Sequence, residues 1–69
     1  MLRKRSLLLA GHATSVALEP EFWAVLEDRA RSEGVSLAAL LTGIDDRRGE
    51  SPLASACRLA ALAHAQGRP

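Results

Sequence analysis

The chain has 69 residues and a formal net charge of +1, with one cysteine and two histidines. That length allows one domain, residues 1–69, whose core is marginal without disulfides, a metal or oligomerisation. Cys57 stands alone, so an internal disulfide is excluded. His12, His64 and Cys57 lack zinc-ligand spacing, so no metal and no cofactor is expected and oligomerisation is left.

Arg3, Lys4 and Arg5 open the chain as a basic cluster, and the first acid is Glu19. Such a cluster can touch nucleic acid or acidic lipid, although a solvated tail is its commoner meaning. The apolar run that follows, Leu7 to Ala10, falls short of the roughly 7–15 residues of a signal-peptide core. No stretch approaches the roughly 20 apolar residues of a membrane span. The chain reads as a soluble cytoplasmic protein with no membrane partner, and the single thiol agrees with a reducing compartment.

Residues 3–18 read as an N-terminal arm and strand. Thr14, Val16 and Leu18 alternate with Ser15 and Ala17, as a half-buried strand requires. Gly11-His12 interrupts the run. Either it is a two-residue turn joining residues 4–10 to 13–18, or Gly11 kinks one long strand. Glu19-Pro20-Glu21 then starts a first helix, helix A, over residues 20–33. Phe22, Leu26 and Ala30 form its apolar row, broadened by Trp23, and Glu27 and Arg31 are spaced as an i,i+4 ion pair. Gly34 stands where a left-handed cap belongs.

Ser36 is a good N-cap for a second helix, helix B, over residues 37–48. Leu37, Leu40, Leu41 and Ile44 match the helical template at i, i+3, i+4 and i+7. After the polar break "DDRRGES", Ser51-Pro52 reads as a cap and start for a third, Ala-rich helix over residues 52–66. Leu53, Cys57 and Ala60 share one of its faces, and Leu59, Leu62 and Ala63 the neighbouring one. A helix this apolar should pack on something.

Strand, helix, tight Gly turn and helix in so short a span resemble the ribbon-helix-helix (MetJ/Arc-type) DNA-binding superfamily. The resemblance is carried by "TSVALE", "PEFWAVLEDRARSEG" and "SLAALLTGI". Within it, Lys4-Arg5-Ser6, Gly11-His12-Ala13-Thr14-Ser15, Leu18-Glu19-Pro20-Glu21-Phe22-Trp23 and Ser55-Ala56-Cys57-Arg58 look most like a small bacterial group of ribbon-helix-helix domain proteins. The resemblance implies an α+β, mostly α fold. Two chains would pair their strands in an intermolecular antiparallel β-ribbon, with an extra C-terminal helix on each. The partners implied are a second copy and double-stranded DNA, the role transcription regulation, for example as a repressor.

The implied dimer core is Val16, Leu18, Phe22, Trp23, Leu26, Leu37, Leu40, Leu41 and Ile44. The implied DNA contacts are Ala13, Ser15 and Ala17 on the outward strand face, Arg3, Lys4, Arg5 and His12 beside it, and Ser36 with the Leu37 amide at the helix B N-terminus. Ribbon readers usually carry Arg, Lys, Asn, Gln or Thr on that face; here Ser15 alone can hydrogen-bond, and Ser does not distinguish bases sharply.

Plainer roles stand beside these. Ser36 caps a helix, His12 sits at a turn, Trp23 fills core, and Cys57 is a small buried hydrophobe. Arg47-Arg48 offset Asp45-Asp46 at a solvated helix end, and His64 is solvated at another. No phosphate loop, nucleophile elbow or metal motif appears, so an enzyme is not expected. The alternative function is a dimeric protein-interaction module on the same scaffold, docking a protein partner through the C-terminal helix with weak or no specific DNA binding.

Overall fold

The computed structural model describes residues 1–68 as two strands followed by three helices. They are β1 (Arg3–Leu9), β2 (His12–Leu18), α1 (Pro20–Glu33), α2 (Leu37–Arg47) and α3 (Leu53–Ala65). The class is α+β, mostly α.

The question left open at Gly11 is resolved as a hairpin. β1 and β2 pair antiparallel from Arg3–Leu18 at the open end to Leu9–His12 at the turn. The turn is Ala10–Gly11, one residue earlier than the Gly11-His12 expected, and His12 belongs to β2. Both turn residues have positive φ, 52° and 85°. That is the mirror-image turn whose twist matches two antiparallel strands. Gly11 takes this conformation freely; Ala10 does so at a cost of roughly 1–2 kcal/mol.

The inner face of the hairpin and the helices enclose a core within one chain. Leu9, Val16, Leu18, Trp23, Leu26, Leu40, Leu41 and Ile44 are all buried, joined by Ala30, Cys57 and Ala61. Leu18 and Trp23 are 0% and 1% exposed. The residues expected to wait for a partner's helices are therefore already covered by the chain's own, with Phe22 and Leu37 partly buried at the margin. The reason is local: β1 supplies Leu7 and Leu9, and α3 supplies Cys57 and Ala61, as the missing walls.

α1 begins with Pro in its first turn and no side-chain cap at Glu19. It ends at Gly34, φ 70°, with Gly34 N–H bonded to the Arg31 carbonyl and Val35 N–H to the Ala30 carbonyl, 3.1 and 3.0 Å. This is the paired C-terminal motif that needs a left-handed residue. Ser36 caps α2, its hydroxyl accepting from the Ala39 N–H at 3.0 Å. At α3 the cap position is Pro52 without a side-chain bond. Ser51 does not cap; its carbonyl instead accepts from Arg48 Nη1 at 2.7 Å.

The surface ion pairs differ from those expected. Glu27 pairs with Arg5 at 3.1 Å, not with Arg31, which reaches Asp28 at 3.5 Å. His64 is not simply solvated, since its Nε2 lies 2.8 Å from Asp28 and ties α3 to α1. The buried stripe of α3 runs through Cys57 and Ala61, while Leu59 and Leu62 face outward. No helix among the described residues is long and apolar enough to cross a membrane.

Candidate nucleic-acid interface

The hairpin register sorts its residues by face. Cross-strand partners share a side, and residues along each strand alternate. The outer face therefore combines Lys4 with Ala17, Ser6 with Ser15 and Leu8 with Ala13. All are exposed except the half-buried Ala17, and Leu8 is 67% exposed. The expected outward set, Ala13, Ser15 and Ala17, lies there. β1 adds Ser6 and Leu8 to it and brings Lys4 onto the same face. The Ser6 and Ser15 hydroxyls are 3.2 Å apart, so one donates to the other and each keeps capacity toward an incoming group.

The basic cluster does not act as one arm. Arg5 turns inward, its guanidinium 4.9 Å from the centre of the Trp23 ring and 3.1 Å from the Glu27 carboxylate. A cation–π contact and an ion pair thus hold Arg5 against Trp23 and Glu27. Trp23 Nε1–H donates to the Arg3 carbonyl at 2.8 Å and so fixes the backbone that carries Lys4. Arg3 and Lys4 are exposed and have no ion-pair partner among the described residues. His12 falls on the inner-face register at the turn end of the ribbon, where it is exposed.

At the other candidate contact, Ser36 is exposed and the α2 N-terminus has the unpaired amides of any helix start. The Ser36 hydroxyl is engaged in its own cap. Leu37 and Ala38 are half-buried beside it.

The motif elements behind the resemblance meet in space. Arg58 Nη2 lies 2.9 Å from the Glu19 carboxylate, and its guanidinium lies 5.7 Å from the Phe22 ring centre. The Glu19 carboxyl is held below the usual carboxylate range, first by its own backbone N–H and next by Arg58. Cys57, one residue away, is buried, and desolvation pushes its thiol up to about 11, which suits a packed hydrophobe and not a nucleophile. The contacts of Arg58 and Arg5 could not be read in the sequence, because their partners stand 39 and 22 residues away.

A family model described as a ribbon-helix-helix domain matches residues 2–65. No curated protein and no solved structure matches. The match takes in the hairpin, both central helices and α3, and with it the chain belongs to the ribbon-helix-helix domain family, which generally binds DNA as dimers in transcription regulation.

Proposed function

We propose that residues 1–69 act as one unit, a homodimeric transcriptional regulator that places a two-stranded ribbon in the DNA major groove. The observation that carries this reading is the outer ribbon face, which leaves Lys4, Ser6 and Ser15 exposed while the inner face is packed on the helices. Strands lie about 4.8 Å apart, so a two-stranded ribbon suits a groove about 12 Å wide. Lys4 offers a donor to guanine or phosphate, the serines bond either kind of base edge, and Leu8 and Ala13 meet thymine methyls. Arg3, with the Ser36 cap and the Leu37 amide, holds phosphates and sets position without reading sequence. A dimer that only occupies its site works as a repressor, here in the bacterial cytoplasm.

The dimer follows from opening the Ala10–Gly11 turn. β1 of each chain then pairs with β2 of the other in the same register, Arg3 against Leu18 through Leu9 against His12. Pairing at the free edge of β2 would instead build a four-stranded sheet, too wide for the groove. The outward residues are even-numbered in β1 and odd-numbered in β2, so the opened chain must bend between them, and Gly11 supplies the bend. Val16, Leu18, Trp23 and Leu26 then pack on the partner's β1, which restores the core across two chains.

Two experiments test the reading. Selection from a random DNA pool should enrich a two-fold symmetric site, and absence of both enrichment and a low-salt gel shift would overturn it. Ser6 and Ser15 lie three steps from Leu9–His12, the hydrogen-bonded pair that closes the two-residue turn, and so form a non-hydrogen-bonded pair with Cα atoms about 4.5 Å apart, within disulfide reach. A Ser6→Cys/Ser15→Cys variant should oxidise to a covalent dimer; a monomer with an internal bridge would refute strand exchange. The interaction-module alternative draws on the exposed Leu59 and Leu62 of α3; it survives only if the selection fails.

A further inference from the structure

Away from the ribbon, the end of α2 and the outer side of α3 enclose an open groove of about 380 Å³. Its floor is apolar, made by Ile44, Ala56, Ala60 and Ala63, with the exposed Leu59 along one edge. Its polar side chains are three arginines and Ser51.

Two of these arginines are held at two points each. Arg29 donates from Nε to Glu33 at 2.9 Å and from Nη1 to the Ala60 carbonyl at 3.1 Å. Arg48 donates to Asp45 and, from Nη1, to the Ser51 carbonyl at 2.7 Å. Their Nη2 groups make no protein hydrogen bond among the described residues. Both guanidiniums are therefore already ordered, and little entropy is lost when a ligand engages them. The third, Arg47, has no ion-pair partner among the described residues. It folds back along α2, its guanidinium 3.5 Å from the place a side chain on Gly43 would begin. Glu33 and Asp45 neutralise the first two, so Arg47 leaves the groove with net positive charge.

We infer that this groove binds a small aliphatic carboxylate, with the carboxylate on Arg47 and the free Nη2 groups and the chain on the alanine floor. The planar guanidiniums match a carboxylate in two-point geometry. The volume falls in the range of small-molecule sites, about 300–1,000 Å³. Nine residues line it, whereas a protein interface takes roughly 20–30 residues a side. A DNA phosphate would leave the apolar floor unused.

Octanoate, titrated below its micelle concentration into the full chain, is the probe, with amide shifts followed by two-dimensional NMR. Saturable shifts should centre on Arg47 and on α3 from Ala56 to Ala63. Octan-1-ol, which keeps the chain and lacks the charge, should bind roughly tenfold more weakly, as should octanoate to Arg47→Ala. Ala63→Leu fills the floor and should abolish the shifts while its thermal melt shows a folded protein; Lys4→Ala, on the ribbon, should leave them unchanged. Equal binding of alcohol and carboxylate, shifts centred on Arg3 and Lys4, or no saturable shift would each overturn the inference.

Discussion

The two faces of the hairpin share one backbone and one register, and they differ in how their side chains are used. On the inner face Leu7, Leu9, Val16 and Leu18 meet the helices, and even the charged Arg5 is drawn in by the Trp23 ring and Glu27. On the outer face Lys4, Ser6, Leu8, Ala13 and Ser15 stay exposed. Lys4 on the outer face keeps its charge available, whereas Arg5, the next residue of the same cluster, is held on the inner face. A basic residue in a sequence is thus a candidate contact only once its neighbours in space are known. In β1 the neighbours of Arg5 were an aromatic ring and a carboxylate, and those of Lys4 were small.

The strongest way to break the contrast is at the inner face. Trp23→Ala removes the largest fully buried side chain and leaves the Arg3 carbonyl without its indole donor. It should lose about 3–5 kcal/mol, read as a lower denaturant midpoint, and a loss under 1 kcal/mol would mean that the inner face is not the anchor. The converse test is at the outer face. Lys4→Ala should leave stability within about 0.5 kcal/mol while weakening DNA binding. Its log–log salt slope should flatten by about 1 for each contact removed. A variant that binds as wild type at every salt concentration would remove Lys4 from the interface.

The turn that joins the two strands gives a smaller effect. Ala10 holds a positive φ that Asn tolerates better, and Asn-Gly is the preferred pair for this turn. Ala10→Asn should raise stability by about 1 kcal/mol in thermal melts and shift the chain from exchanged dimer toward monomer in light scattering. The smallest effect lies where β2 ends. The Glu19 carboxyl is depressed in the folded state, so its contribution is complete above the ordinary value of 4.5 and is lost as pH falls through the depressed one. The difference in melting temperature between wild type and Glu19→Gln should therefore be constant at neutral pH and close below about pH 4.5. A difference that persists at the lowest pH would show that charge on Glu19 does not matter.

Much of the fold was legible in local pattern. The alternation of Thr14, Val16 and Leu18 named the buried face of β2, and the spacing of Leu37, Leu40, Leu41 and Ile44 named that of α2. Pro20, Gly34 and Ser36 marked helix ends by backbone chemistry that acts within a few residues. The consecutive leucines of β1 carried no period, so the hairpin stayed ambiguous. For α3 the pattern offered two neighbouring apolar faces, and only packing chose the one with Leu53, Cys57 and Ala60, because alanines lie all around the helix. At the candidate interface, the outward set of β2 followed from parity, but the residues facing it from β1 required the register.

The sequence by itself determined where elements begin and end, which strand face is apolar and which family pattern the chain follows. Those are properties of neighbours in the chain: periodicity, caps and turn residues. The tertiary structure alone decided that Arg5 is spent on Trp23 and Glu27, that Arg58 bridges Glu19 and Phe22, and that Arg29, Arg47 and Arg48 gather on one groove. Those depend on side chains brought together from distant positions, and long flexible cations take whichever carboxylate or ring the packing puts within reach.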